Sequence, residues 1–283
     1  MKGIFLGMSI ILLSLVLLLI SQITLENIID EGESVSRFSV FDRITDEKRS
    51  IENGFKDILR ANNVTIVSNS TFFSIKELSP NPQYLNFSNA TGIWKNFTEN
   101  NSDFDIKINI TEINQFLPLR MNNIKYSHPK GFGYNKTEIT NASIVDRYIV
   151  FLDLSDKNGA IKATWLQESA GSDRIIMFVK TGNETMVDSK LLDFSQQSLI
   201  NITIQRIAVA ATDVENNTIY VTIGNPSDDG YLSIENVYNI YLNSEINMSF
   251  PPQVTNAVYL SEESINITST HFNISSVVAL RVD

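Results

Sequence analysis

His128 and His271 are the only imidazoles in the chain, and they stand in unrelated contexts. A general base must sit within hydrogen-bond reach of the proton it takes. Neither local sequence supplies such a partner, so both histidines are expected on turns or at the surface. Gln167-Glu168-Ser169-Ala170-Gly171 approaches a nucleophile elbow but lacks its first glycine, and it reads as a surface loop. Two acidic turns approach calcium-loop spacing. Leu154-Ser155-Asp156-Lys157-Asn158-Gly159 has Leu at the first ligand position and Trp165 where the bidentate Glu belongs, while Asn225-Pro226-Ser227-Asp228-Asp229-Gly230 closes on Asn236. Both read as hairpin turns. Asp103-Phe104-Asp105 has the form of a metal-binding carboxylate pair, but strand alternation puts both acids on an exposed face. There is no glycine-rich phosphate loop, and with no cysteine there is no thiolate chemistry, disulfide or Cys-based zinc site. No enzyme activity, cofactor or metal is expected. A formal charge of −10 argues against nucleic acid or anionic lipid as partners, which call for basic patches.

The amide nitrogen of asparagine offers a different chemistry. Fifteen Asn-X-Ser/Thr triplets with X other than Pro begin at Asn63, Asn69, Asn86, Asn89, Asn96, Asn100, Asn109, Asn135, Asn141, Asn183, Asn201, Asn216, Asn247, Asn266 and Asn273. With 30 Asn and 49 Ser plus Thr in 283 residues, random placement gives about five such acceptors. The threefold excess points to a chain that meets an N-glycosylation enzyme on the outer face of a membrane. Strands and turns rich in Asn, Ser and Thr generate some triplets by composition alone. Asn225 is disqualified by Pro226.

The elements that must carry these residues are of two kinds. Met1-Lys2-Gly3 precedes an apolar run from Ile4 to Ile20, interrupted only by Gly7, Ser9 and Ser14. That length sits at the lower limit for a membrane-spanning helix. It is longer than a signal-peptide core, and no small-residue pair at cleavage spacing follows it. Lys2 precedes the run, and acids with no base until Arg37 follow it, so the amino terminus is expected in the cytoplasm and the rest outside. From Ile23 to Arg60 the pattern is helical. Phe41, Ile44, Ile51, Phe55, Ile58 and Leu59 fall within about 100° of one another at 100° per residue, an amphipathic stripe. Glu33/Arg37, Asp46/Arg49, Glu52/Lys56 and Asp57/Arg60 are spaced to pair on the other face. A helix running from Ile4 to Ala61 would be roughly 85 Å long, ended by Asn62-Asn63.

Beyond it the period changes to two. Strands are expected at 64–67, 72–75, 104–110, 148–154, 174–180, 199–204, 219–223, 237–242 and 277–282, separated by turn signals such as Asn81-Pro82 and Asp228-Asp229-Gly230. The expected fold is α+β, an N-terminal transmembrane and amphipathic helix followed by a mainly antiparallel β-sandwich ectodomain. The expected division is 1–22 for the membrane span with its short basic leader, 23–61 for a helical stalk, 62–145 for an Asn-rich β/loop region and 146–283 for a β-sandwich domain. Residues 79–140 carry weak strand signals and read as loops or a small inserted layer.

A short basic leader, an apolar helix extended by an amphipathic half, and a β-rich head together resemble the archaeal type IV pilin-like proteins. The resemblance covers about the first sixty residues. It implies that a dedicated peptidase cuts after Lys2-Gly3, leaving Ile4 as the first mature residue, and that like or related subunits pack through the helix in a filament. Met8 stands at the fifth mature position, where many pilins carry glutamate, and the Gln-Ala/Gly start common in the family is absent. The resemblance therefore implies a minor subunit. The alternative expectation is an uncleaved, signal-anchored surface protein whose β-rich ectodomain touches glycans, S-layer or another cell.

Overall fold

The structure is a computed structural model and describes residues 2–78, 87–109, 116–129, 136–154, 158–206, 215–236, 242–253, 255, 257–269 and 274–283. In the N-terminal helix α1 (Lys2–Ala61) the described side chains are 17–19, 21–26 and 38–61. The side chains of the run Ile4–Ile20, Leu17–Leu19 apart, lie outside that set, and so do Lys2 and Gly3. Among the described residues no helix is long and apolar enough to cross a membrane.

The fold is α+β, a long N-terminal helix followed by mainly antiparallel sheets. The chain divides into two compact units, Met1–Ser50 and Ile51–Asp283. No proline interrupts α1, and Asp46–Arg49 and Asp57–Arg60 pair along its surface at 3.5 and 3.2 Å. Such exposed pairs contribute only about 0.2–0.5 kcal/mol each. The helix ends where Asn63 takes a left-handed φ of 58° and the Asn62 side chain donates to the Ile58 carbonyl at 2.8 Å. Asparagine tolerates that conformation, which makes it a usable stop.

The strands begin at once with the hairpin β1 (Val64–Asn69) and β2 (Phe72–Glu77). Then come α2 (Phe87–Asn101), β3 (Asp105–Asn109), β4 (Phe116–Met121), β5 (Ile124–Pro129) and β6 (Lys136–Thr140). The middle of the chain supplies β7 (Arg147–Leu154), β8 (Ala160–Gln167), β9 (Asp173–Thr181), β10 (Thr185–Leu192), β11 (Ser198–Arg206) and β12 (Glu215–Ile223). The remainder forms β13 (Leu232–Asn236), β14 (Asn243–Ser249), β15 (Val258–Ser269) and β16 (Ile274–Arg281). The strand expected over 237–242 falls on residues of which all but Leu242 lie outside the described set.

One sheet has six strands in the order β1-β2-β14-β7-β9-β10. The other has ten, in the order β16-β15-β4-β5-β6-β13-β12-β11-β8, with β3 also paired to β15. Every described pair is antiparallel except β7 with β9, which β8 connects by way of the other sheet. The expected break at 145–146 falls in the link between β6 and β7. Strands from both sides of it share each sheet: β14 pairs β2, β13 pairs β6, and β15 pairs β3 and β4.

The alternation of side chains explains the core. On β7, Tyr148, Val150, Leu152 and Leu154 are buried to 1% exposure or less, and Ile175, Met177 and Val179 of β9 face the same way. From the ten-stranded sheet come Leu117, Leu119, Tyr126, Ile139, Ile200, Ile202, Ile219 and Val221, equally buried. Two tyrosines of this core find polar partners, as a buried hydroxyl requires. The Tyr148 hydroxyl donates to the Gly230 carbonyl, at a turn where Gly230 has φ +76°. A Cβ there would lie 2.1 Å from the Ala142 carbonyl oxygen, so only glycine fits. The edge strands β8 and β10 are stitched by side chains: Ile161 N–H donates to Glu184, Trp165 to Asp188, and Lys190 to Glu168. Edges occupied in this way resist unwanted pairing.

Candidate functional site

Three features could carry function: the seat of α1, the distribution of glycan acceptors, and a buried polar cluster around Glu77. The seat is built from the C-terminal turns of α1. Ile51, Phe55 and Leu59, spaced by four, are 3%, 0% and 3% exposed, and Ile58 is half-buried. Phe55 packs edge-on against Phe87 of α2 at 6.5 Å and tilted against Trp94 at 5.3 Å. Gly54 makes the approach of Trp94 possible, since a Cβ there would lie 2.8 Å from the indole nitrogen. Glu52 accepts from the Arg281 backbone N–H, and Lys56 donates to the Asp283 carbonyl, so the helix also holds the strand β16. The Asp283 carboxylate accepts from Ser68 and Arg281. Burial pulls its pKa upward, but those hydrogen bonds and the arginine charge hold it below the ordinary value. Nearer the amino terminus Ile44 is buried, whereas Phe41 stands 52% exposed.

Eleven of the fifteen acceptor asparagines have described side chains. Asn63, Asn69, Asn89, Asn96, Asn100, Asn109, Asn141 and Asn183 are exposed, Asn201 and Asn266 are half-buried, and Asn247 is buried. Asn86, Asn135 and Asn273 lie outside the described residues, as does the Asn216 side chain. Three exposed acceptors share one helix. At 100° per residue Asn89, Asn96 and Asn100 lie within about 40° of one another on α2, roughly opposite the face that buries Phe87 and Thr91. The helix itself is unexpected, because Asn- and Thr-rich segments have weak helix propensity.

The third feature joins the two sheets. Glu77 of β2, 5% exposed, accepts from the Tyr126 hydroxyl at 2.5 Å and lies 3.4 Å from His128 Nε2. His128 Nδ1 in turn meets the Thr137 hydroxyl at 2.5 Å, across the β5–β6 ladder. Hydroxyl, imidazole and carboxylate thus follow one another in the order of a nucleophilic relay. Thr137 is 5% exposed and Tyr126 is 1% exposed, so both hydroxyls are held inside the protein. The cluster gives the buried Glu77 carboxylate a hydroxyl donor and an imidazole neighbour. Burial, followed by the Glu77 charge, pushes the Tyr126 pKa well above 10.

The other candidates resolve into local structure. Ser169 is 8% exposed and hydrogen-bonded to Ser198 and the Asp193 carbonyl, and Gly171 lies so close to Leu192 that it admits no Cβ. Asn225 accepts from Ser227, and Asp228 accepts from the Asn141 N–H in the link that follows β6, so that acidic turn is tied to its own backbone and to that link. Asp103 and Asp105 are exposed. Asp156 and His271 lie outside the described residues, and among the described residues no group of three or more potential ligands could hold a metal ion. A depression of about 310 Å³ lies on the outer face of the six-stranded sheet, between Lys76, Phe151, Asp153, Phe178, Lys180 and Glu245. The cluster at Glu77 and this depression are absent from the sequence reading. Only Tyr126 and His128, two apart and so on one strand face, hint at the former.

No known protein family, no curated protein and no solved structure matches this chain.

Proposed function

We propose that this chain is a non-enzymatic cell-surface structural protein, a minor subunit of a type IV pilus-like filament that assembles through α1 and presents a glycosylated β-sandwich head. One observation carries the reading. The helix is seated in the β-rich unit from Ile51 onward, yet its N-terminal part displays Leu17, Leu18, Leu19, Ile23, Leu25, Phe38 and Phe41, all more than half exposed. Large apolar side chains shown around a helix need lipid or neighbouring helices to cover them. A membrane-held helix that later packs against its copies meets both needs, and the exposed acceptors fit a head outside the cell.

A second reading, an uncleaved signal-anchored protein whose head binds surface glycans or S-layer, is favoured by the depression beside the stacked Phe151 and Phe178 rings (4.5 Å apart) and its mixed charges. The two readings separate at Gly3. Mass spectrometry of the protein from its own surface fraction is expected to find Ile4 at the amino terminus, and Gly3→Val is expected to block that processing. An intact Met1 or Lys2 in the wild-type protein would refute the filament reading and leave the anchored one.

A further inference from the structure

We infer, on the reading of a glycosylated head, that the exposed face of α2 is a resting surface for the chain's own N-linked sugars, with those at Asn96 and Asn100 lying over Phe97 and Ile93. Among the described side chains of α2 the exposed ones are Asn89, Ile93, Asn96, Phe97, Asn100 and Asn101. Ile93 and Phe97 are 58% and 66% exposed. None of these side chains is charged. The two charged residues of the helix, Lys95 and Glu99, are half-buried on its flank and 3.9 Å apart, and Glu99 accepts from the Ile108 N–H of β3 at 2.8 Å. A solvent-facing helix surface ordinarily carries charges, whereas this one sets two large apolar side chains among amides.

The acceptors select what covers the apolar pair. At 100° per residue Asn89, Ile93, Asn96, Phe97 and Asn100 fall within about 100° of one another. Ile93 stands four residues after Asn89 and three before Asn96, and Phe97 stands three before Asn100. Helix neighbours at these spacings have Cβ atoms about 5–6 Å apart. Each apolar side chain therefore has an acceptor one turn away, within reach of its first sugar ring. A pyranose is two-faced, with C–H groups on the faces of the ring and hydroxyls on its rim. Its C–H face suits Phe97, because the face of an aromatic ring is negative and a C–H carries partial positive charge. The linkage leaves the helix intact. Asn100 Nδ2 donates one of its two hydrogens to the Asn96 carbonyl at 2.7 Å, and a sugar replaces the other. Tethering gives such a sugar a high effective concentration, so a weak contact is enough. A protein partner would instead have to displace bulky glycans to reach the pair.

Glycopeptide mass spectrometry of the full-length protein from its own surface fraction is expected to find sugar at Asn96 and Asn100. Ile93→Ser/Phe97→Ser keeps all three acceptor triplets of α2, and serine matches both residues in helix propensity. In the glycosylated protein that double substitution is expected to lower Tm by about 3–6 °C. In the background Asn89→Gln/Asn96→Gln/Asn100→Gln, which removes the acceptors and keeps the helix, it should move Tm by less than about 2 °C. Far-ultraviolet circular dichroism of each variant confirms that the head folds. Equal shifts in the two backgrounds would overturn the inference. So would bare asparagines on α2 beside sugar at acceptors such as Asn69 or Asn141, a result that leaves the glycosylated head standing and frees the pair for a protein neighbour. No sugar at any acceptor would overturn the glycosylated head as well, so the two failures are told apart.

Discussion

The seat of α1 is best tested at Phe55. Phe55→Ala removes a ring that is 0% exposed and touches Phe87 and Trp94. An aromatic of this size buries about 150–250 Å², worth roughly 4–6 kcal/mol at about 25 cal/mol per Å². Alanine keeps part of that, the cavity it leaves adds to the loss, and measured Phe→Ala changes in cores cost about 3–5 kcal/mol. A value near 4 kcal/mol follows, which for a unit of this size lowers Tm by about 8–16 °C. Thermal unfolding of the full chain in detergent, followed by near-ultraviolet circular dichroism, reads it. A double-mutant cycle with Trp94→Ala should return a coupling of about 0.5–1.5 kcal/mol from the ring pair. A loss below about 1 kcal/mol would show that the helix is not held through this residue, and the assembly proposed through α1 would lose its mechanical basis.

Three further outcomes follow from the core. Gly230→Ala, forced into the left-handed region with its Cβ on the Ala142 carbonyl, should cost at least about 2 kcal/mol in urea unfolding, whereas Gly92→Ala, inside α2 with nothing within 4 Å, should gain about 0.5–1 kcal/mol. Tyr126→Phe leaves the buried Glu77 carboxylate without its hydroxyl donor and should cost about 1–3 kcal/mol near neutrality. Tyr126 and Tyr148 both have pKa values raised well above 10, by burial first and then by nearby carboxylates. Their contribution is complete below pH 10 and falls above it, where the unfolded chain releases protons that the native state retains. The slope is about 1.4 kcal/mol per pH unit for each tyrosine, so alkaline stability curves of Tyr126→Phe should fall more gently than those of the wild type.

Much of the architecture was legible because burial leaves a period. β11 alternates apolar and polar residues from Ile200 to Gln205, β7 and β9 stand out as apolar runs over Tyr148–Leu152 and Ile175–Val179, and α1 carries Ile51, Phe55 and Leu59 at helical spacing. What escaped is what two-sided or half-exposed elements conceal. β14 lies between β2 and β7, yet reads as Asn-Ser-Glu-Ile-Asn-Met-Ser, because only Ser244, Ile246 and Met248 face the core. In α2, Ile93 and Phe97 point outward at 58% and 66% exposure, which blurs the stripe made by Phe87 and Trp94. The cluster of Glu77, His128 and Thr137 joins β2 of one sheet to β5 and β6 of the other across about 50 residues of chain, and no local spacing reports it. The acceptors were plain as triplets, but burial of Asn247 depends on its place in the sheet.

That place also sets a timetable. β2 waits for β14, which lies about 170 residues later in the chain, so a ribosome adding about 5–20 residues per second needs roughly 8–34 s to deliver it. For that interval the β1–β2 hairpin has no neighbour on its inner edge, and two unpaired phenylalanines, Phe72 and Phe73, sit beside the acceptors Asn63 and Asn69. Sugars added early at those two positions would keep the waiting hairpin soluble. A sugar added early at Asn247 would have the opposite effect, because it would meet the sheet at the moment β14 closes it. On the proposed reading of a glycosylated head, sugars at the start of the head are compatible with closure of the sheet, and a sugar at the strand that completes it is not.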